Sequence, residues 1–173
     1  MNSTQTSRPA TTDLAPGDVC IVRHFDAPRA QVYKAWTEPA KLVQWFAPRG
    51  CEVRFPALDV RPGGKFHSCI LLPDGTACWC VGEYLELVTG ERIVYTIALA
   101  DENGQRASAT EAGKDGAWPD ETTVTVTLAE AEGGTDLTLH QTVSEALARK
   151  TGAYPSWLDM LDQLAEQLRA DFT

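Results

Sequence analysis

The sequence has no long apolar run, and none of its segments approaches the roughly 20 consecutive apolar residues that span a bilayer. Its first residues, 1–17, are rich in Ser, Thr and Pro and lack the apolar region that a secretory signal needs. We therefore expect a soluble, cytoplasmic protein that has no membrane partner. Residues 1–17 are predicted to form a disordered tail.

Positive charge is also scarce, since 15 Lys and Arg face 24 Asp and Glu and the formal net charge is −9. Nucleic acids are bound mainly through Lys and Arg contacts with phosphates, so this balance argues against a nucleic-acid partner. The chain has five cysteines, an odd number. In the absence of an export signal this favours reduced thiols over a disulfide framework.

Motifs that carry common catalytic chemistry are missing. The sequence has no Gly-x-Gly-x-x-Gly, no phosphate loop, no Gly-x-Ser-x-Gly elbow and no His-Glu-x-x-His. Its histidines are His24, His67 and His140, which leaves few candidates for histidine-based catalysis. We therefore predict no cofactor, and we favour a binding protein over an enzyme.

The chain is long enough for one domain with a sizeable core, which we place at residues 18–173. Residues 18–25 are rich in β-branched and aromatic types and predict a strand. Asp26 as an N-cap two residues before Pro28 predicts a short helix, and Pro39 marks the start of a second one.

Strands separated by turn residues follow. They are predicted at 51–60, 65–72, 77–88, 91–99, 121–129 and 135–143. The segment 101–120 is too polar and Gly-rich for a strand, and loops of this length are either functional lids or disordered insertions. We favour a flexible, disordered loop, in which Trp118 is the residue that could close over a ligand.

The clearest element is a helix from about Pro155 to Ala170. Trp157, Leu161, Leu164 and Leu168 fall on one side at helical spacing, and charged residues take the other side. A helix with one apolar side is expected to lie on a sheet.

Hairpin geometry predicts which strand residues face inward. If the four-residue loop Pro73–Thr76 joins a regular hairpin, Leu72 opposes Ala77. The face expected to be buried then carries Phe66, Ser68, Ile70, Trp79, Val81, Glu83 and Leu85. In the 121–143 hairpin the inward set is Val124, Val126, Leu128, Leu137, Leu139 and Val143, and His140 points outward.

Two polar features of the hairpin formed by the predicted strands 65–72 and 77–88 suggest a chemical role. Glu83 would be a carboxylate on the buried face, where it could orient a ligand, act as an acid or base, or be a structural group reached by water. On the outer face the same register gathers Cys69, Cys78, Cys80 and His67, a set that could bind zinc tetrahedrally. Because the spacing lacks a Cys-x-x-Cys turn, we expect structural thiols and no metal.

Several short motifs accompany this order of elements. They are Arg23–Pro28, Ala35–Thr37, Trp45–Phe46, Asp59–Gly64, Gly82–Glu86, Glu91–Thr96 and Gly133–Leu139. Together they resemble the SRPBCC superfamily, whose fold is the START-like helix-grip. The likeness runs from about residue 18 to 170 and is closest to bacterial single-domain proteins similar to the C-terminal domain of the activator of the heat-shock protein 90 ATPase. The resemblance implies an α+β fold in which a curved antiparallel sheet of about seven strands wraps around the C-terminal helix. The 101–120 loop is longer than in the family, and the segment 152–157 is stretched.

This resemblance and the inward faces together predict a pocket for a hydrophobic small molecule between the sheet and the last helix. Its candidate lining is Trp45, Phe46, Phe66, Ser68, Ile70, Trp79, Val81, Glu83, Leu85, Tyr95, Trp157, Leu161 and Leu164. Tyr95 is included as a pocket hydroxyl, although simple pairing across Thr89-Gly90 turns it outward.

Two other functions stay open. One is a protein-interaction module that docks on a chaperone or another basic partner. The other is an enzyme of the aromatase/cyclase or hydrolase type that uses Glu83 and a pocket hydroxyl. Ligand identity and the choice between monomer and homodimer are not given by the sequence.

Overall fold

Turn residues divide the chain into seven strands and four helices over residues 17–171, the part of the protein that the computed structural model describes. In chain order the elements are β1 (Asp18–Phe25), α1 (Arg29–Thr37), α2 (Pro39–Leu42), β2 (Glu52–Leu58), β3 (Lys65–Leu71), β4 (Ala77–Val88), β5 (Arg92–Ala100), β6 (Glu121–Ala131), β7 (Gly134–Ser144), α3 (Glu145–Thr151) and α4 (Ala153–Ala170). The tail predicted at residues 1–17 lies outside this part except for its last residue.

The strands form one antiparallel sheet in the order β1-β7-β6-β5-β4-β3-β2. Consecutive strands from β2 to β7 are neighbours, and β1 returns to pair with β7. The predicted α+β helix-grip architecture is therefore confirmed. The inward set of the β6–β7 hairpin is also confirmed, since Val126 opposes Leu139 and Leu128 opposes Leu137, all of them buried.

The first helix begins two residues later than its sequence signal indicates, since the N-cap is Pro28 and not Asp26. Pro28 is the N-cap of α1, and its carbonyl accepts hydrogen bonds from the N–H groups of Gln31 and Val32 at 2.9 and 3.2 Å. Asp26 is therefore not the cap, and its carboxylate lies 3.2 Å from the ring of His24 instead. The fixed φ of proline, −62° here, already suits the entry to a helix.

A short helix that we did not predict precedes the last one. The Ser144 hydroxyl accepts a hydrogen bond from the Leu147 N–H at 3.2 Å and caps α3. Gly152, in the left-handed region with φ 87°, ends α3 and allows α4 to begin at Ala153, two residues before Pro155.

Helix α4 lies across the sheet with its apolar side inward, as predicted. Trp157, Leu161, Leu164 and Leu168 are all buried in one core with the sheet residues. The Trp157 indole N–H donates to the side-chain oxygen of Gln141 on β7 at 2.9 Å, which fixes the helix against the sheet.

The predicted register of the β3–β4 hairpin is wrong by one residue. Leu71, and not Leu72, opposes Ala77. The cause is the turn, because the Gly75 N–H donates to the Leu72 carbonyl at 2.9 Å while Gly75 adopts φ 87°. Pro73–Gly75 is thus a three-residue loop that ends in a left-handed glycine, in place of a four-residue loop.

A slip of one residue moves every side chain to the other face. Phe66, Ser68 and Ile70 keep the inner face, but Trp79, Val81 and Glu83 lie on the outer one, opposite Cys69, His67 and Lys65. Leu85 stands at a bulge between Tyr84 and Glu86 and is 51% exposed. These four residues therefore do not belong to the inner face on which we expected them.

Candidate functional site

A small apolar cavity lies between strands β2 to β5 and the segment that carries α1 and α2. It is lined by Trp36 (α1), Leu42 (α2), Phe46, Phe55 (β2), Phe66 (β3), Tyr84 (β4), Ile93 and Tyr95 (both β5). Six strands and helices thus each contribute at least one side chain. The predicted place, between the sheet and the last helix, is wrong for this cavity, because no residue of α4 lines it. Aromatic rings dominate the lining, as in many pockets for organic ligands.

Those rings fill most of the space. The cavity measures about 10 Å³, which is room for about one water molecule. The rings of Phe66, Tyr84 and Tyr95 are in mutual contact, with centroids 5.8 to 6.0 Å apart. A larger molecule can enter only if side chains move. Two of the lining residues are partly exposed, namely Phe46 after α2 and Phe55 on β2.

Two polar atoms are buried on this cavity without a hydrogen-bond partner among residues 17–171. One is the indole nitrogen of Trp36, a residue that is 2% exposed, and the other is the hydroxyl oxygen of Tyr95, which is 4% exposed. The neighbouring indoles differ, since Trp45 donates to the Ala35 carbonyl at 3.0 Å and Trp157 donates to Gln141. Buried polar groups are nearly always paired, so these two atoms are exceptions among the side chains of the lining.

Both tyrosines of the cavity are neutral hydroxyls. Burial raises the pKa of Tyr84 to about 12. Burial also raises the pKa of Tyr95 well above its ordinary range, and the nearby Tyr84 and Cys80 act in the same direction. Because its proton is retained, the Tyr95 hydroxyl can donate a hydrogen bond to a ligand.

The candidate residues from the sequence divide into four groups. Phe46, Phe66 and Tyr95 line the cavity. Trp45, Trp157, Leu161 and Leu164 are buried in the surrounding core, while Ser68 and Ile70 lie farther along the inner face of β3. Trp79, Val81, Glu83 and Leu85 lie outside the cavity. Tyr95 faces inward because it opposes Tyr84, and the bulge at Leu85 shifts the pairing that turned it outward in the simple alignment.

Sequence reasoning missed Trp36, Leu42, Phe55, Tyr84 and Ile93 as lining residues. For Tyr84 a signal was present, because Pro-Asp-Gly permits a three-residue loop whose register turns Tyr84 inward. Trp36 and Leu42 lie in the two short helices that the sequence predicts after the first strand. No sequence pattern, however, indicates which buried side chains border a cavity and which only fill the core.

Glu83 lies away from the cavity. Its strand neighbour Tyr84 points inward, so the Glu83 carboxylate is on the opposite face of the sheet, where Lys65 is its cross-strand partner. An acid or base role inside the cavity therefore has no geometric basis.

The register also divides the proposed zinc ligands. His67 and Cys69 lie on the outer face, where the ring of His67 stacks on Trp79 at 5.0 Å, whereas Cys78 and Cys80 lie on the inner face. Within the described part of the chain, no group of three or more His, Cys, Asp or Glu is placed to hold a metal ion.

The 101–120 segment touches several elements. The Asp101 carbonyl lies 3.0 Å from the ring of His67, and Asp115 pairs with Lys150 of α3 at 3.1 Å. Trp118 packs against the core but does not line the cavity. Whether this segment moves over a ligand stays a prediction.

The fold and the sequence together assign the family. The sequence profile described as "Activator of Hsp90 ATPase homolog 1-like protein" matches residues 26–169, which is most of the chain. The chain belongs to this family. It is thus a START-like domain of the AHSA1 family, as the resemblance of its motifs implied. Among curated proteins, none matches this AHSA1-family chain.

Solved structures of bacterial proteins share its architecture. A protein from Chromobacterium violaceum is 29% identical, with a TM-score of 0.72 and coverage of 89% of this chain and 98% of that one. A protein from Arthrobacter aurescens is 21% identical, with a TM-score of 0.77 and coverage of 92% and 90%. The AHSA1 protein from Silicibacter pomeroyi is 18% identical, with a TM-score of 0.71 and coverage of 89% and 99%. The last two matches support the fold alone. No helix within residues 17–171 of this AHSA1-family chain is both long and apolar enough to cross a membrane.

Proposed function

We propose that this AHSA1-family domain binds a hydrophobic small molecule that carries a hydrogen-bond acceptor, and that the site is the cavity between the sheet and α1–α2. The observation that carries the proposal is the pair of buried donors, the Trp36 indole and the Tyr95 hydroxyl, on an otherwise apolar lining. A carbonyl or ether oxygen of the ligand would accept from one or both.

The energetics favour such a ligand. A buried donor without a partner costs about 1–3 kcal/mol, and a good hydrogen bond contributes about 0.5–1.5 kcal/mol net. A molecule that supplies the acceptor removes the cost of the unpaired donor and gains the contribution of the hydrogen bond. An apolar ring or chain on the same molecule would pack among Phe46, Phe55 and Phe66, which gives the aromatic contacts that organic ligands favour.

Entry of the ligand requires the closed cavity to widen. Phe46 lies four residues after the end of α2. The next segment is held to α4 by Arg49, whose backbone N–H donates to Asp159 at 2.6 Å. The sheet forms the opposite wall of the cavity, and its lining residues Phe66, Tyr84, Ile93 and Tyr95 are buried. We therefore expect Phe46 and Phe55 to move when the ligand binds, while the sheet stays in place.

Native mass spectrometry of freshly purified full-length protein tests the proposal. We expect a co-purified lipophilic adduct whose mass is retained under gentle ionisation and lost on denaturation. Trp36→Phe and Tyr95→Phe should each lower the affinity by at least about tenfold, because each donor that the ligand pairs contributes about 1.5 kcal/mol or more to binding. Tyr84→Phe is the matched control. Tyr84 also lines the cavity, but its hydroxyl does not belong to the buried unpaired donors of the described chain.

Two outcomes would contradict the proposal. One is the absence of any adduct, both after purification and after incubation with a mixed lipid and aromatic extract. The other is an adduct that Trp36→Phe, Tyr95→Phe and Tyr84→Phe all retain equally, which would place the ligand elsewhere.

The two alternative functions have separate tests. The family description names an activator of the Hsp90 ATPase, so a chaperone role predicts a changed ATPase rate when this protein is added. No contact in the described chain favours that role over ligand binding. For the enzyme alternative, Glu83→Gln is expected to leave any turnover unchanged, because Glu83 faces away from the cavity.

A further inference from the structure

The two unpaired donors of the cavity belong to opposite walls. Trp36 lies on α1, where its ring centroid is 6.3 Å from that of Phe46. Tyr95 lies on β5, where its ring contacts Phe66 and Tyr84 of the sheet. An indole N–H can only donate a hydrogen bond, and a phenol that keeps its proton can also donate one. A ligand between the walls therefore meets a donor from each of them.

The space between the two walls suits a single oxygen atom. The cavity measures about 10 Å³, which is room for about one water molecule. Two separate polar groups of a ligand do not fit in this volume. A carbonyl oxygen carries two lone pairs and no hydrogen, so one such atom can accept from both donors at once.

The lining also selects against charge. None of the eight side chains that border the cavity is charged. Both tyrosines stay neutral, because burial raises the pKa of Tyr84 to about 12 and raises that of Tyr95 well above its ordinary range. A carboxylate or an ammonium group would lose its hydration here and find no opposite charge, which is costly. The lining therefore favours an uncharged ligand.

The burial of the lining residues indicates which end of the ligand enters first. Trp36, Ile93 and Tyr95 are deeply buried, whereas Phe46 and Phe55 are partly exposed and their ring centroids lie 6.4 Å apart. A ligand that enters past Phe46 and Phe55 reaches the donors with its leading end, where little room is left beyond the oxygen. A carbonyl group between two large substituents is therefore excluded, while an aldehyde or a methyl ketone fits.

We infer that the ligands of this site are uncharged aldehydes and methyl ketones with an apolar ring or chain, whose carbonyl oxygen accepts from Trp36 and Tyr95 at once. The inference rests on the proposed function, because it concerns the same cavity, and it narrows the ligand from any acceptor to one chemical class. Trp36 and Tyr95 are then the residues that determine specificity. Binding is noncovalent, since the lining contains no amine or thiol.

Three probes with the same naphthalene ring test the inference by calorimetric titration of the full-length protein freed of bound lipophiles. They are 2-acetylnaphthalene, a methyl ketone; 2-isopropenylnaphthalene, in which a CH₂ group replaces the oxygen; and 2-naphthoate, an anion. We expect the ketone to bind about a hundredfold more tightly than the alkene, since each of two donors contributes about tenfold. The anion should bind at least about tenfold more weakly than the ketone.

The ratio of ketone affinity to alkene affinity, measured in each variant, isolates the oxygen atom, because lost ring contacts affect both probes alike. Tyr95→Phe and Trp36→Phe should each lower this ratio about tenfold. Tyr33→Phe is the matched control, since Tyr33 is a partly buried residue of α1 outside the lining, and it should leave the ratio unchanged. If Trp36→Phe does not fold, Tyr95→Phe decides the result.

The ¹³C resonance of 2-acetylnaphthalene labelled at its carbonyl carbon gives a second readout. Hydrogen bonds polarise the C=O group, so we expect this resonance to move to higher frequency when the ketone binds. Each of Tyr95→Phe and Trp36→Phe should reverse part of that change. A purely structural role of the two residues would alter the affinity and leave the resonance of the bound ketone in place.

Several results would overturn the inference. Equal affinity for the ketone and the alkene does so and leaves the proposed binding of hydrophobic molecules intact. Tighter binding of 2-naphthoate than of the ketone contradicts the selection against charge. A carbonyl resonance that neither variant moves places the oxygen away from the two donors. Failure of all three probes to bind overturns the inference and, together with the absence of any co-purified adduct, the proposed function as well.

Discussion

Removal of the Tyr95 hydroxyl should make this protein more stable. Tyr95 is 4% exposed and its hydroxyl has no hydrogen-bond partner among residues 17–171. Tyr95→Phe therefore breaks no hydrogen bond within the described chain and removes a polar group from an apolar cavity. The ring contacts with Phe66 and Tyr84, at 6.0 and 5.9 Å between centroids, are retained.

The size of the effect follows from the cost of an unpaired buried donor, about 1–3 kcal/mol. Taking the lower end, because the cavity has room for local adjustment, we expect a gain of about 1 kcal/mol. For a chain of this length that gain raises Tm by about 2–4 °C. Thermal unfolding followed by circular dichroism, on protein freed of bound lipophiles by denaturation and refolding, measures it. Tyr84→Phe should change Tm by less than about 1 °C.

A fall in Tm of Tyr95→Phe would refute the reasoning. It would mean that the hydroxyl already has a partner in the folded protein, such as a water molecule held between Tyr95 and Trp36. The cavity is large enough for one water. In that case the pair of donors would be a structural hydrogen-bond site, and the ligand proposal would lose its main support.

Three further predictions concern the framework around the site. Gly82→Ala should cost about 3 kcal/mol or more, because a Cβ would lie 2.4 Å from the Phe66 ring and 2.0 Å from a backbone carbonyl; chemical denaturation measures the loss. The ion pair with Arg49 lowers the pKa of Glu166, so its contribution is present above the ordinary value of 4.5 and is lost as the pH falls through the lower, folded value. Arg49→Gln should therefore be less stable than the parent near pH 6 and approach it in acid. Ser144→Ala should cost about 1 kcal/mol through loss of the α3 cap, whereas an unchanged Tm would show that the cap contributes nothing.

The fold was largely predictable because it depends on patterns that are local in the sequence. The strands are separated by Gly and Pro turns, and the one-sided helix α4 identifies the surface that covers the sheet. The unpredicted helix α3 is only seven residues long and has a single capping serine as its signal. Such short helices depend on tertiary packing more than on their own sequence.

The site was less predictable because it depends on register. Alternation along β4 gives two faces, but the sequence does not state which of them is inner. The position of one glycine, Gly75, decides that question through the length of the loop, and the bulge at Leu85 changes the phase again within the same strand. Neither the three-residue loop that ends at Gly75 nor the bulge at Leu85 can be recognised from the pattern of apolar residues.

These two irregularities determine what chemistry the inner face can perform. With a four-residue loop, β4 would present Trp79, Val81 and Glu83 inward, which gives an apolar wall with one acid. With the three-residue loop it presents Cys78, Cys80 and Tyr84 instead, a row that changes from thiols to a phenol along the strand. The two thiols and the Tyr84 ring therefore follow from one turn, since β4 presents them inward only in the register that Gly75 imposes.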